Sequence, residues 1–142
     1  MIRSLKETHS DLEKIQSFVQ ETIPSIKQIS KDRYHSILFE LHKNQDIFIR
    51  EDDNYVITAI VTVFIETRIT HGGRSICHAH DLIVKDNDDE ITREMINHVT
   101  SYAKKLGCKE VLWVCDRKLK TGQGHHPLEA RDSSVFAVRL SN

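Results

Sequence analysis

Cysteine, glycine and proline are all scarce in this chain. The three cysteines, Cys77, Cys108 and Cys115, are too few for a disulfide framework and form no CxxC pair. The five glycines and two prolines form no low-complexity linker. The longest apolar run, at residues 56–65, is interrupted by threonine and too short to span a bilayer, and the first residues form no apolar signal region. These absences predict a reduced, cytoplasmic protein without a membrane partner.

An excess of charge of either sign is also missing. Twenty Lys and Arg residues face 21 Asp and Glu residues, so the formal net charge is −1, which argues against nucleic acid as the main partner. With 142 residues and 39% hydrophobic composition, the chain is typical of one soluble domain covering residues 1–142. Nine histidines make its charge depend on pH between about 5 and 8.

The spacing of apolar residues divides the chain into strands and helices. A strand at residues 2–5 precedes a helix capped by Ser10 or Asp11, which Pro24 ends. Further strands are predicted at residues 46–52, 55–70, 74–84, 110–115 and 134–140, further helices at residues 25–42 and 90–106, and one helical turn at residues 127–132. The predicted order is β-α-α-β-β-β-α-β-(α)-β.

Turn residues and connection lengths predict how the central strands pair. Gly72 and Gly73 join the strands at residues 55–70 and 74–84 into an antiparallel hairpin. The helix at residues 90–106 connects the second of these to the strand at residues 110–115, a crossover that favours parallel pairing. We therefore expect an α/β domain with a mixed central sheet flanked by helices.

Three stretches resemble a known family in sequence and order. They read "IRSLKETHSDLEKIQSFV" at residues 2–19, "HAHDLIV" at residues 78–84 and "INHVTSYAKKLGCKEVLWVC" at residues 96–115. Together they resemble the GNAT superfamily of N-acetyltransferases, and most of all its glucosamine-6-phosphate N-acetyltransferases. The resemblance implies the GNAT fold, acetyl transfer from acetyl-CoA to a primary amine of a small molecule or protein, and a homodimer that exchanges C-terminal strands.

The resemblance also implies where the cofactor acetyl-CoA lies. The backbone of Leu82, Ile83 and Val84 corresponds to the strand that pairs with the pantetheine arm, and Ile91, Thr92 and Arg93 to the helix start that faces the pyrophosphate. In the family this junction carries spaced glycines, which let the backbone approach the phosphates at a helix N-terminus. Here residues 86–95 read "DNDDEITREM", without glycine and with several carboxylates. Two interpretations stay open: structural capping of the helix, or a cradle that admits a weakly bound coenzyme.

The family's catalytic pair, a Glu followed by an Asp on the fourth strand, corresponds to His80 and Asp81. Histidine is a suitable base for an ammonium nucleophile at neutral pH. The tyrosine that serves the leaving thiol in the family has no counterpart after residue 115. Gln123, His125 or His126 could take its place.

The same strand invites a metal-site interpretation. His78 and His80 alternate onto one face of a strand and could share a metal with Asp81 or with a late histidine. His-x-His arises easily by chance among nine histidines. We therefore predict no metal site, and a polar strand facing a solvated groove is the simpler interpretation.

Three functions are compatible with this sequence. The first is an active amine N-acetyltransferase, indicated by the element order and the His80–Asp81 pair. The second is a catalytically inactive binding or regulatory module, indicated by the glycine-free loop and the missing tyrosine. The third is a protein that holds a different small ligand, such as a cation, in the same cleft, indicated by the acidity of the loop.

Overall fold

A computed structural model describes residues 1–5, 9–24, 30–115, 125–128 and 134–140. In chain order its elements are β1 (Ile2–Ser4), α1 (His9–Thr22), α2 (Lys31–Asn44), β2 (Asp46–Glu51), β3 (Ile57–Arg68), β4 (Arg74–Val84), α3 (Asp89–Lys105), β5 (Glu110–Cys115), β6 (His125–Leu128) and β7 (Ser134–Arg139). Short 3-10 turns follow β3 at Ile69–His71 and β4 at Lys85–Asn87. Among these described helices, none has the length and apolarity needed to cross a membrane.

All seven described strands join one mixed sheet in the order β1-β2-β3-β4-β5-β7-β6. β3 and β4 form the predicted antiparallel hairpin, and β4 and β5 pair in parallel through the α3 crossover, as expected. β7 inserts between β5 and β6, antiparallel to both. The predicted α/β fold with a mixed central sheet is therefore confirmed.

The helix α3 is specified locally at both ends and along one face. Asp88 caps its N-terminus, and Gly107, with φ of 75°, follows its C-terminus where a left-handed residue is needed. Its buried side chains recur at helical spacing: Thr92, Met95, Ile96, Val99 and Ala103. This face packs against the sheet, so α3 covers one side of the hairpin and of β5.

Two hydrophobic cores lie on opposite faces of the sheet. The core beneath α3 contains Val61 and Val63 of β3, whereas the core beneath α1 and α2 contains Ile60 of the same strand. Alternate residues of a strand point to opposite faces, so a strand covered on both sides must be apolar at every position. This is why the first half of β3 carries an almost unbroken apolar sequence.

A network of charges ties β1, α1 and β2 together. Nη2 of Arg3 lies 2.8 Å from Oδ1 of Asp11 and 2.9 Å from Oε1 of Glu51. Both carboxylates are nearly inaccessible, with 6% and 3% of their side chains exposed. The hydrogen bonds from Arg3 lower the pKa of Glu51. The network therefore pairs two buried carboxylates with one guanidinium and favours the ionised form of Glu51.

Two predictions about elements need correction. The segment predicted to be irregular, with a helical turn at residues 127–132, contains the strand β6, which pairs with β7. Proline in this strand is tolerated because β6 lies at the edge of the sheet. The second helix, predicted at residues 25–42, extends to Asn44, and residues 25–29 lie outside the described part of the chain.

Candidate functional site

A bulge in β4 creates the candidate site. Ile83 pairs with Ile60 of β3, and His80 pairs with Thr62, so β4 uses one more residue than β3 over the same distance. Asp81 takes up the extra residue with φ of 54°, a conformation that is uncommon outside glycine. The bulge therefore lies at the pair His80–Asp81, which the sequence had singled out.

Beyond the bulge, β4 parts from β5. The parallel pairing runs from Ile76 with Glu110 to His80 with Val114 and goes no further. Residues Leu82–Val84 stay beside β3, and no strand in the described ranges pairs with their other edge. The backbone of the three predicted pantetheine-binding residues thus lines an opening between β4 and β5.

The ring of His80 is held from two sides. Its Nδ1 lies 3.3 Å from Oδ2 of Asp81, and its Nε2 lies 3.1 Å from Oε1 of Gln45, which joins α2 to β2. The hydrogen bond to His80 lowers the pKa of the Asp81 carboxyl. The imidazole edge meets the ring of Phe64 with centroids 5.8 Å apart. His80 is therefore oriented by its neighbours, while 27% of its side chain remains exposed.

His80 and Asp81 line a large cavity between the sheet and the helices α1 and α2. Its volume is about 1440 Å³. Apolar residues make up much of its wall, among them Phe18 of α1, Leu38 of α2 and Ile60 of β3. Small-molecule sites are commonly apolar concavities with a few polar groups that converge on the ligand. The cavity with His80 and Asp81 in its wall is such an arrangement.

The side-chain carboxylate of Asp88 caps the N-terminus of α3. Oδ1 of Asp88 accepts hydrogen bonds from the backbone N–H groups of Glu90 and Ile91, at 2.8 and 2.9 Å. The carbonyl oxygen of Asp88 accepts from both N and Oγ1 of Thr92, at 3.0 and 2.7 Å. Two of the four backbone donors that a helix N-terminus can offer to a phosphate, those of Glu90 and Ile91, are therefore already used by the Asp88 carboxylate, while the N–H of Thr92 makes the first ordinary hydrogen bond inside the helix.

The residues predicted to face the pyrophosphate, Ile91, Thr92 and Arg93, lie in the first turn of α3. Ile91 gives its N–H to Asp88 and packs beside the core under α3. Thr92 is buried, at 5% exposed, and Arg93 is exposed on the helix surface. Their part in cofactor binding stays a prediction.

The turn before α3 adds further carboxylates and no glycine. Asp86 and Asn87 have left-handed backbones, with φ of 54° and 53°, although each carries a side chain. Asp86, Asp89 and Glu90 are all exposed. These residues give the turn the backbone geometry of a tight loop, but their side chains prevent the close contact between backbone and ligand that glycine allows.

The residues present fit one end of acetyl-CoA and not the other. The open edge of Leu82–Val84 offers backbone groups of the kind that pair with an amide-bearing arm. The α3 N-terminus offers no comparable place for a pyrophosphate, because the Asp88 carboxylate takes the N–H groups of Glu90 and Ile91 and three more exposed carboxylates lie within two residues of it in sequence. Taken as a whole, the site does not fit acetyl-CoA.

His78 lies on the same face of β4 as His80, as predicted, and both rings contact Phe64. Nε2 of His78 contacts Oε2 of Glu66 at 2.5 Å, and its ring stacks on Phe64. In the described part of the chain, no three His, Cys, Asp or Glu side chains converge on a metal position.

The late histidines are separated from His80. His125 and His126 lie in β6, three strands from β4, which places their backbone about 14 Å away. This separation disfavours a metal shared with His80, and the suggestion that one of them replaces the missing tyrosine stays a prediction. Gln123 lies outside the described residues.

Two parts of the site were missed from the sequence. Gln45, the partner of His80, follows a helix by one residue, and no local pattern marks it. Tyr55 and Val56, in the turn between β2 and β3, line the cavity although they looked like the start of a strand. The turn-forming residues Asp52 to Asn54 were the one indication in the sequence that Tyr55 and Val56 lie close to a turn.

No family model matches this chain, and no curated protein matches it in sequence. A probable acetyltransferase from Staphylococcus epidermidis is 19% identical over 99% of both chains, with a TM-score of 0.75. A Trypanosoma brucei acetyltransferase is 17% identical over 92% of this chain and 96% of its own, with a TM-score of 0.70. The glucosamine-6-phosphate N-acetyltransferase from Arabidopsis thaliana is 16% identical over 81% of both, with a TM-score of 0.66. With the bulged, splayed sheet described above, these similarities identify the fold: this chain has the fold of the GNAT acetyltransferases.

Proposed function

We propose that this chain is a binding module built on the GNAT fold. It holds a small ligand in the cavity beneath α1 and α2 and does not take acetyl groups from acetyl-CoA. One observation carries the proposal: the carboxylate of Asp88 accepts the backbone hydrogen bonds of Glu90 and Ile91. An internal anion thus occupies the helix terminus where an external one would have to bind.

This arrangement makes the free energy of pyrophosphate binding at the N-terminus of α3 less favourable. Displacing Asp88 removes a helix cap, which costs about 1 kcal/mol. Each of the carboxylates Asp86, Asp89 and Glu90 repels an anion about 4 Å away by about 1 kcal/mol in water. Together these effects reach about 4 kcal/mol, which weakens binding about a thousandfold. Most of the cavity wall is formed by α1, α2 and the sheet, and the turn before α3 contributes only Lys85, Asp86 and Asn87 to it.

Calorimetric titration of the purified chain with acetyl-CoA tests the proposal. We expect no measurable heat up to high micromolar coenzyme. A parallel assay follows release of the free thiol over a panel of primary amines, and we expect a rate no greater than that without protein. Saturable coenzyme binding below about 100 µM, or turnover of any amine in the panel, would overturn the proposal.

Amine acetylation is the second candidate, and a separate observation favours it. His80 stands where β4 leaves β5, beside the open backbone edge of Leu82–Val84, and its ring is oriented by Asp81 and Gln45. A histidine placed there could accept the proton of an ammonium group entering from the cavity. Under this candidate, His80→Ala lowers turnover about 100-fold or more, and His35→Ala, on the exposed surface of α2, leaves it unchanged.

A further inference from the structure

Much of the wall of the cavity beneath α1 and α2 is apolar. Several of its side chains are almost fully buried: Phe18, Leu38, Ile47, Ile57 and Ile60. Tyr55, Val56 and Val114 extend this wall at exposed positions. Apolar side chains scattered singly over a surface need no explanation, but several that converge on one concavity indicate a ligand with an apolar body.

The charged groups of the wall are either paired or solvated. Three of them have partners inside the chain, at nitrogen-to-oxygen distances of 2.5, 3.7 and 3.3 Å: Glu13 with Lys31, Lys14 with Glu51, and Asp81 with the ring of His80. The other three, Glu21, Lys85 and Asp86, are exposed and carry charges of both signs. Exposed charges are screened by water and salt, so they attract a ligand only weakly. Among the described residues, the wall therefore offers an ionic ligand no buried, unpaired countercharge.

The uncharged polar side chains that α1, α2 and β3 contribute to the wall are all hydroxyls. They belong to Ser17, Thr22, Tyr34 and Thr62. Burial raises the pKa of Tyr34 to about 12, so its phenol stays protonated at neutral pH and can donate a hydrogen bond. Within the described part of the chain, this hydroxyl has no hydrogen-bond partner. A ligand in the cavity can therefore supply the acceptor that Tyr34 lacks.

We propose that the cavity binds an uncharged, largely apolar molecule that accepts a hydrogen bond from Tyr34. Its apolar body packs against Phe18, Leu38 and Ile60. An ion of either sign would lose hydration against this wall without gaining a partner there. The inference rests on the proposed function, since it names the ligand class of the same cavity. It differs from the amine, the sugar phosphate and the coenzyme that the resemblance implies, and from the cation that the acidity of the loop suggests.

Titration calorimetry with probes that share one apolar body tests the ligand class. We expect 4-phenylbutan-1-ol to bind at least about tenfold more tightly than 4-phenylbutylamine or 4-phenylbutanoate, a ratio that corresponds to 1.4 kcal/mol. Butane-1,4-diol, which is uncharged but lacks the phenyl group, should also bind at least about tenfold more weakly than the phenyl alcohol. The proposal is overturned if either ion or the diol binds as tightly as the phenyl alcohol. It is also overturned if the phenyl alcohol gives no saturable heat at millimolar concentration.

Two pairs of variants place the site. Tyr34→Phe removes only the hydroxyl and should weaken binding of 4-phenylbutan-1-ol about fivefold, the effect of one hydrogen bond. Its control, Tyr55→Phe, removes the hydroxyl of an exposed tyrosine of the wall and should leave binding unchanged. Ile37→Ala shortens an apolar side chain of the wall and should also weaken binding about fivefold. Its control, Phe39→Ala, truncates an exposed side chain of the same helix outside the wall and should have no effect.

These variants and the coenzyme titration distinguish the levels of failure. If Tyr34→Phe and Ile37→Ala both behave like their controls, the alcohol binds elsewhere and the proposed site is wrong. If acetyl-CoA binds tightly, the proposed function fails, whatever the alcohol does. If neither acetyl-CoA nor the alcohol binds, the ligand class fails and the loss of coenzyme binding stands.

Discussion

Replacing Asp88 should separate its role as a helix cap from its role as a charge. Asp88→Ala removes both the carboxylate and the two hydrogen bonds to Glu90 and Ile91. Asp88→Asn keeps an oxygen that can cap the helix and removes only the charge, because asparagine caps helices about as well as aspartate. The pair of variants therefore makes graded predictions both for stability and for coenzyme binding.

The stability effect follows from the capping bonds. Loss of the cap in Asp88→Ala should cost about 1 kcal/mol of unfolding free energy and lower Tm by about 3 °C in a domain of this size. Asp88→Asn should lose only the interaction of the charge with the helix dipole, about 0.5 kcal/mol. Thermal denaturation followed by circular dichroism measures both differences.

Both substitutions should strengthen the binding of coenzyme A, although both lower the stability of the fold. Removing one charge in Asp88→Asn relieves about 1 kcal/mol of repulsion and should strengthen coenzyme A binding about fivefold. Asp88→Ala also frees two backbone donors, so we expect a gain of about 2 kcal/mol, or about 30-fold. The control Asp89→Asn removes a neighbouring carboxylate and leaves the cap in place, and it should match Asp88→Asn.

Two outcomes would refute this reasoning. If Asp88→Ala and Asp88→Asn are equally stable, the carboxylate does not cap α3 in solution. If both capping donors are freed and coenzyme A still binds no better than in the unchanged chain, Asp88 is not what excludes it. The acidity of the turn would then need another physical explanation.

Other predictions concern the packing that supports the site. Arg3→Met removes the guanidinium that bonds the buried carboxylates of Asp11 and Glu51 and should lower the unfolding free energy by about 3 kcal/mol in urea at pH 7. Lys43→Met, at an exposed pair, should lower it by less than about 1 kcal/mol. Because the pKa of Glu51 is lowered in the folded chain, its carboxylate contributes fully to the unfolding free energy above its unfolded pKa of about 4.3. This contribution is lost as the pH falls through the pKa of Glu51 in the folded chain. Acid unfolding of Arg3→Met should therefore be shallower than that of the unchanged chain, and equal slopes would contradict this assignment. Met95→Ala, at a fully buried position of α3, should cost about 2–5 kcal/mol in the same urea assay, and a loss below about 1 kcal/mol would show that the core closes around it.

The local elements could be read from the sequence because their signals are local. The apolar spacing of α3, its acidic first turn and Gly107 after its last residues place the helix within a residue of its observed bounds. The hairpin of β3 and β4 follows from alternating apolar residues around Gly72 and Gly73. β6 was missed because a four-residue edge strand containing proline gains its structure from pairing with β7.

The candidate site was predicted in part. His80 and Asp81 were placed correctly on the fourth strand, and helix capping was one of the two interpretations left open for the first turn of α3. The assignment of Asp88 as the residue that takes the N–H groups of Glu90 and Ile91 needed coordinates, since Asp86 and Asp89 had equal claims by composition.

The sequence by itself determined the order of the elements as far as β5, the two apolar faces of β3 and the absence of glycine before α3. These properties depend on residues close together in the chain, where spacing and turn chemistry act directly. Only the tertiary structure decided that Asp81 bulges out of β4, that Gln45 reaches His80, and that Tyr55 stands at the mouth of the cavity. Each of these joins segments many residues apart, and their meeting is set by the packing of the whole sheet and its helices.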